Sequence, residues 1–391
     1  MTIMNNRLRF TCLLVGASMT LTLAGCSSLN PFSSKKLPVN VPAALTEFKQ
    51  TIEPRSIWSI NVGNAENYEF VPALTYDSIV AASAAGTIVK VNPDNGHEIW
   101  RINADVRLTA GVGSDGSTIA VAGEKGVILT FDQDGKLRWK TQVSSEVLSA
   151  PVVGQGLVVV RSQDNRIAAY DAYSGARKWI VTRTAPPLTL RSAPGMLIDN
   201  SEVIVAMPGG RLLGLALNNG GPLWEIAVGD PRGATELDRI ADVSGYPVIY
   251  NRQACAVAYH GRVGCINLAT GSPQWSRMFS SDVGLGIDER NVYASSDKGS
   301  VSAFALQGGQ SVWLNDKLAY RQLTAPVALK RAIAVGDGMG FVHFLDKENG
   351  ALIGRMNTDG SPILSTPLAS GGKLIIQTRA GTLMAVTADN G

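Results

Sequence analysis

The stretch NPDNGHEIW, residues 92–100, decides the reading of this chain. Asp94, Asn95 and Gly96 form a turn, and an apolar pair closes on Trp100 four residues after the glycine. The same Gly-x-x-x-Trp spacing returns at Gly135/Trp139, Gly175/Trp179, Gly220/Trp224, Gly271/Trp275 and Gly309/Trp313. With Trp58, seven tryptophans mark units of about 40 residues, and Gly354 stands four residues after Gly350 where an eighth is due. Before each turn comes an apolar run such as GTIVKV from Gly86, GVILTF from Gly126 or GTLMAV from Gly381, and there are eight such runs. Fixed periods of this length signal a repeat architecture, and four short strands per period is the propeller signature.

Each unit reads as a four-stranded meander. Within 150–179 the runs Val152–Val153, Leu157–Arg161, Arg166–Asp171 and Lys178–Val181 are separated by Gly or Asn turns. First strands open at Pro72, Pro151, Pro194, Pro247, Pro326 and Pro367, a position where a sheet tolerates proline. One small sheet cannot cover both of its faces. Stacking the sheets in a closed ring does so and leaves few unpaired edges. The glycine supplies the φ > 0 that the turn needs. The tryptophan then fills the gap between blades, removing roughly 150–250 Å² from water. The last unit ends at its turn, TADNG, without a fourth strand, and the first begins at SIWSINVG without a turn. The Trp58 strand is therefore expected to complete the last blade. The fold class is all-β, an eight-bladed propeller over 45–391, with Trp58, Trp100, Trp139, Trp179, Trp224, Trp275 and Trp313 as inter-blade wedges.

Composition agrees. Glycine is abundant at 41 residues, hydrophobics reach 45% and charged residues only 17%, which suits a turn-rich β protein with a large core. The formal charge is +3, falling to +1 without residues 1–25, which hold Arg7 and Arg9 and no acid. A nearly neutral chain with no basic cluster excludes nucleic acid as the main partner.

Residues 1–25 read as a signal peptide: a short basic start, an apolar run from Phe10 to Leu23, then LAGC at 23–26. LAGC resembles the lipobox of bacterial lipoproteins, which implies cleavage before Cys26 and acylation of its thiol. Ser27, rather than Asp, implies the outer membrane in that pattern. Residues 26–44, rich in Ser, Asn and Pro, read as a flexible tether.

The repeat also resembles the Asp-x-x-x-Gly-x-x-x-Trp motif of the quinoprotein propeller superfamily, best in YDAYSGARKW (170–179) and, without its Trp, LDKENGALIG (345–354). That superfamily contains pyrroloquinoline-quinone dehydrogenases, which typically carry a calcium site, a catalytic Asp and often adjacent bridged cysteines. No Cys-Cys pair and no long insertion is present here. His97, His260 and His343 are scattered, and no His-Glu-x-x-His, Cys-x-x-Cys or Gly-x-Ser-x-Gly occurs. The expectation is a non-enzyme with no catalytic residue, cofactor, metal or small-molecule substrate; a quinoprotein dehydrogenase and a glycan-binding propeller are the alternatives.

Lipobox, tether and eight repeats together resemble the BamB family, lipoproteins of the outer-membrane β-barrel assembly machinery. LTLRSAP (188–194) and GATELDRIADVSGYPV (233–248) carry that resemblance further. It implies a scaffold that binds the periplasmic POTRA domains of BamA within the assembly complex. It implies that Leu188, Leu190, Arg191 and Asp242 face that partner. The long connections 180–193 and 226–246, the second bearing Glu236, Asp238, Arg239 and Asp242, are read as adjacent binding loops with an apolar pair rimmed by charge. Cys255 and Cys265 flank a turn around His260. A three-residue loop would set them opposite each other and a two-residue turn would put them on opposite faces, so a disulfide and two buried thiols both stay open.

Overall fold

A computed structural model describes residues 40–184, 186–190 and 193–388. The Cys26 lipobox and most of the tether lie outside the described residues. Pro42–Gly391 is one compact unit of eight four-stranded antiparallel sheets. Blades 1 to 7 run in chain order from Ala73–Leu74 through Leu352–Asn357. Blade 8 takes three strands, Leu368–Ser370, Lys373–Gln377 and Thr382–Thr387, and is finished by Arg55–Asn61 from the other end of the chain, with Trp58 opposite Ala385. The ring closes as the half-units at the two ends require.

The Gly-x-x-x-Trp motif does more than turn the chain. Gly96, Gly135, Gly175, Gly220, Gly271, Gly309 and Gly350 all sit at φ between 66° and 81°. Each also lies under the tryptophan of the preceding blade. A Cβ on Gly220 would stand 2.6 Å from the Trp179 ring, and one on Gly309 would stand 2.2 Å from Trp275. The indole N–H then caps the same turn: Trp179 Nε1 donates to Leu217 O at 2.8 Å, Trp275 to Leu306 O at 2.7 Å and Trp139 to Ala172 O at 3.0 Å. One residue type per blade thus needs a glycine in the next blade for backbone conformation and for space. Trp224 departs from the scheme, its N–H bonding Glu202 Oε2 of its own blade at 2.9 Å. The motif aspartate completes the turn, since Asp171 Oδ1 accepts from the Tyr173 and Ser174 N–H groups.

Every third-to-fourth strand pair carries a register shift that leaves one extra residue just before the tryptophan, or before Gly354 in blade 7, for example Lys178 between Arg177 and Trp179. Such a bulge bends the strand and re-aims the side chain that follows it. It also leaves Ile57, Ile99, Leu223 and Val312, the extra residues of their blades, at the exposed outer edge. Pro247 breaks the expectation that proline opens a first strand. That strand starts earlier, at Val243, and the proline falls inside an irregular stretch between Ser244 and Val248, the other place where a sheet accepts it.

Cys255 and Cys265 are direct cross-strand partners across the Tyr259–Gly261 loop, and their sulfurs form a disulfide buried beside Trp275. Peptide mapping after alkylation of the unfolded, unreduced protein should find neither residue labelled. Labelling of both would replace the bridge by two thiols.

Ala43 to Pro54 form a strap over blade 7. Ala43 N–H donates to Ala319 O at 2.8 Å, and Thr51 N–H to Ile353 O at 2.9 Å. Contacts with the ring begin at Ala43, two residues before the boundary expected at 45. Ile52 and Pro54 fill the place of the missing eighth tryptophan, where a Cβ on Gly354 would meet Ile52 at 2.6 Å. Two arginines hold the strap: Arg321 Nη1 donates to Ala43 O at 2.9 Å, and Arg355 Nη2 to Thr46 O at 3.2 Å while its guanidinium lies over Phe48. Both belong to a buried network. Asp337 Oδ2 accepts from Arg321 Nε at 2.7 Å and from His343 Nε2 at 2.8 Å, and Arg355 Nε donates to His343 Nδ1 at 3.3 Å. His343 and the GDGMG turn, unremarkable as sequence, are parts of this anchor.

Candidate functional site

Two inter-blade connections stand out. One links the fourth strand of blade 3, Arg177–Thr182, to the first of blade 4, Met196–Asp199. The other links Pro222–Ala227 of blade 4 to Val243–Tyr250 of blade 5. Pro186 and Pro187 keep the first irregular. The second folds on itself: Thr235 and Asp238 exchange bonds of 2.8 to 3.2 Å, and Arg239 bonds Glu236 Oε1 at 2.8 Å and Gly233 O at 3.1 Å.

Asp242 ties the two together. Its Oδ2 accepts the Leu190 N–H at 2.5 Å and its Oδ1 the Gly209 N–H at 2.8 Å. It is only 2% exposed. This corrects the expectation that Asp242 faces a partner: the carboxylate spends both oxygens inside the protein. Burial raises its carboxyl above the usual range, against the pull of those two N–H groups and of Arg161. Arg161 is itself fully buried, and desolvation brings it down to about 10.

The other expected residues divide. Leu188 is 44% exposed and Leu190 half-buried. Arg239 is exposed and held by its own loop, and Arg191 lies outside the described residues. Leu237, 68% exposed on the second loop, was not singled out in the sequence; an apolar residue inside an acidic loop was the available signal. The two loops border one depression of about 400 Å³, with Arg183 and Pro186 from the first, Pro231 from the second, and Pro208 and Gly209 between.

The axial channel, about 500 Å³, is walled by first strands of the blades with residues such as Val71, Pro151, Met196, Leu285 and Pro326; its polar side chains are Ser114, Tyr246 and Thr366. Near Tyr246 stands Glu69. Its side chain reaches solvent but is crowded by protein, which pushes its carboxyl up to about 7, with Asp282 adding like-charge repulsion. No group of three His, Cys, Asp or Glu among the described residues is placed to hold a metal ion.

A family model described as outer membrane protein assembly factor BamB matches residues 84–315. Outer membrane protein assembly factor BamB of Bordetella pertussis is 41% identical over 370 residues, 94% of this chain and 95% of that one. The chain belongs to the BamB family. The crystal structure of BamB from Moraxella catarrhalis superposes with a TM-score of 0.78 at 28% identity, over 85% of this chain and 99% of that one. A quinohemoprotein alcohol dehydrogenase from Comamonas testosteroni reaches 0.67 at 11% identity, over 88% and 78% of the two chains, a likeness of fold alone.

Proposed function

We propose that this chain is a non-enzymatic scaffold for outer-membrane protein assembly, anchored by acyl chains on Cys26 to the periplasmic face of the outer membrane. In this reading residues 1–25 are removed, 26–42 form the tether, and the ring docks the POTRA domains of BamA within the assembly complex. The observation that carries it is the pair of long loops fixed to each other through the buried Asp242 while Leu188 and Leu237 stay exposed. Apolar anchors rimmed by Arg239 and Glu236 on a rigid support suit a protein interface. Asp242 is here a positioning residue: it shapes the loop that offers Leu188, Leu190 and Arg191.

Replacing Leu188, Leu190 and Arg191 together by Ala should abolish co-purification with BamA and leave the melting temperature nearly unchanged. Retained binding, or a collapse in stability, would move the interface elsewhere or return the leucines to the core. Intact-mass spectrometry of the purified protein should show a chain that starts at Cys26 and carries acyl groups, recovered with the outer membrane. A chain without acyl mass would remove the anchor.

The dehydrogenase alternative draws on the superfamily motif, but here its aspartate and glycine are spent on the turn and its tryptophan on the blade interface. The apolar axial wall lacks the carboxylate set that a calcium-bound quinone needs. A quinone absorbance in purified protein would overturn this reading.

A further inference from the structure

A second cleft lies on the rim that carries the docking loops, between blades 5 and 6. It is about 530 Å³ and is lined by His260, Phe279, Asp297, Lys298, Ser302 and Leu314, with further serines between them. That volume is within the range of small-molecule sites, ~300–1,000 Å³. Its lining is unlike the apolar seams between the blades. Alternation along Val301–Ala305 turns Val301 and Ala303 into the core shared with blade 7. Ser302 and Phe304 therefore face blade 5, where Phe304 packs against Trp275 and Phe279. Ser302 is 4% exposed, and its hydroxyl makes no hydrogen bond with the described residues. Its hydroxyl opens only to the cleft, where it is free to bond whatever occupies that space.

The walls say which chemistry. The His260 ring is stacked on Tyr259 with centroids 3.9 Å apart, giving a flat platform, and Phe279 and Leu314 add apolar surface. Opposite are hydroxyls: Ser296 and Ser300 pair at 2.8 Å, and Ser280 Oγ accepts the His260 N–H at 3.0 Å with its own proton free to donate outward. Asp297 and Lys298 line the cleft and form no ion pair among the described residues. An anion is disfavoured because Asp297 is in the wall and Asp238 and Asp282 are close by, against one lysine. Flat apolar surface facing converging hydroxyls, one carboxylate and one ammonium matches a polyhydroxylated ring, apolar on its C–H face and hydrogen-bonding at its edge. We infer that the cleft between blades 5 and 6 is a saccharide-binding site, with Ser302 and Asp297 bonding sugar hydroxyls and the Tyr259–His260 stack carrying the ring face.

The test uses the full-length protein in detergent with chitotetraose as probe, read by calorimetry and by saturation-transfer NMR. Saturable binding is expected, weakened at least tenfold by Ser302→Val and by Asp297→Ala, with melting temperatures close to that of the parent. Leu188→Ala should leave it unchanged, which separates this site from the docking loops. Asp297 stands at the rim of the hairpin, so Asp297→Ala keeps the test valid if Ser302→Val fails to fold. No saturable binding, binding indifferent to both substitutions, or inorganic phosphate competing at equal concentration would overturn the proposal.

Discussion

Asp337→Ala should destabilise the ring by about 3–5 kcal/mol, the usual cost of removing one partner from a buried charge pair. Four groups converge on this carboxylate: the Met339 and Phe341 N–H groups at 2.9 Å on Oδ1, and Arg321 and His343 on Oδ2. Its loss strands a guanidinium that is 4% exposed and an imidazole that is fully buried. Denaturant melts of parent and variant measure the difference. A cost under 1 kcal/mol would mean that water replaces the network. The same cluster gives the stability a pH dependence. Arg355 donates to His343 Nδ1, so His343 is neutral with its proton on Nε2, facing Asp337. Burial lowers its affinity for a second proton, outweighing the attraction of Asp337, and Arg355 and Arg321 lower it further. A base depressed in the folded state contributes stability that is complete above its unfolded value of about 6.5 and is lost as pH falls below it. Asp337 acts in the same direction at lower pH: burial opposes ionisation, but His343 and the N–H groups hold it below the usual range. Proteolysis within residues 43–52 should therefore speed up on acidification from pH 7 to 5 in the parent, and the increase should shrink in His343→Gln.

Trp179→Ala should cost a similar amount, ~3–5 kcal/mol, the range for truncating a large core aromatic. The indole is 8% exposed and sits among Val159, Val205, Leu213 and Leu217, so its removal opens a cavity between blades 3 and 4. It also strips the Leu217 carbonyl of its donor. Gly220→Ala probes the same contact from the other side. It should destabilise at φ +71° and with a Cβ 2.6 Å from the ring. Thermal melts of both variants check the interface. An unchanged Trp179→Ala melt would mean that neighbouring blades close the gap unaided.

The ring was legible because its determinants are local and repeated. A turn glycine, an apolar alternation and a tryptophan recur every 40 or so residues, and each fixes its own surroundings. The bulge before each tryptophan was not legible, since the chain carries no marker for an extra residue beyond the spacing it produces. The strap was missed for a different reason. Residues 43–54 have no periodicity, and their partners Arg321 and Arg355 lie 278 and 309 residues away. For the two long loops, proximity was legible from blade order. The fate of Asp242 was not, because an acid in a polar loop reads as solvated until the Leu190 N–H, 52 residues earlier, is found on it.

The strap also sets the path of mechanical load. Any tension arriving from the N-terminal side reaches the bonds of Ala43, Thr46, Thr51 and Ile52 on blade 7 before it reaches Arg55–Asn61, the strand that shuts the ring. The strap is thus a strain relief in series with the closure: a pull on Ala43 is absorbed at the attachments to Ala319, Arg321 and blade 7, and the seam of blade 8 stays unloaded until they yield.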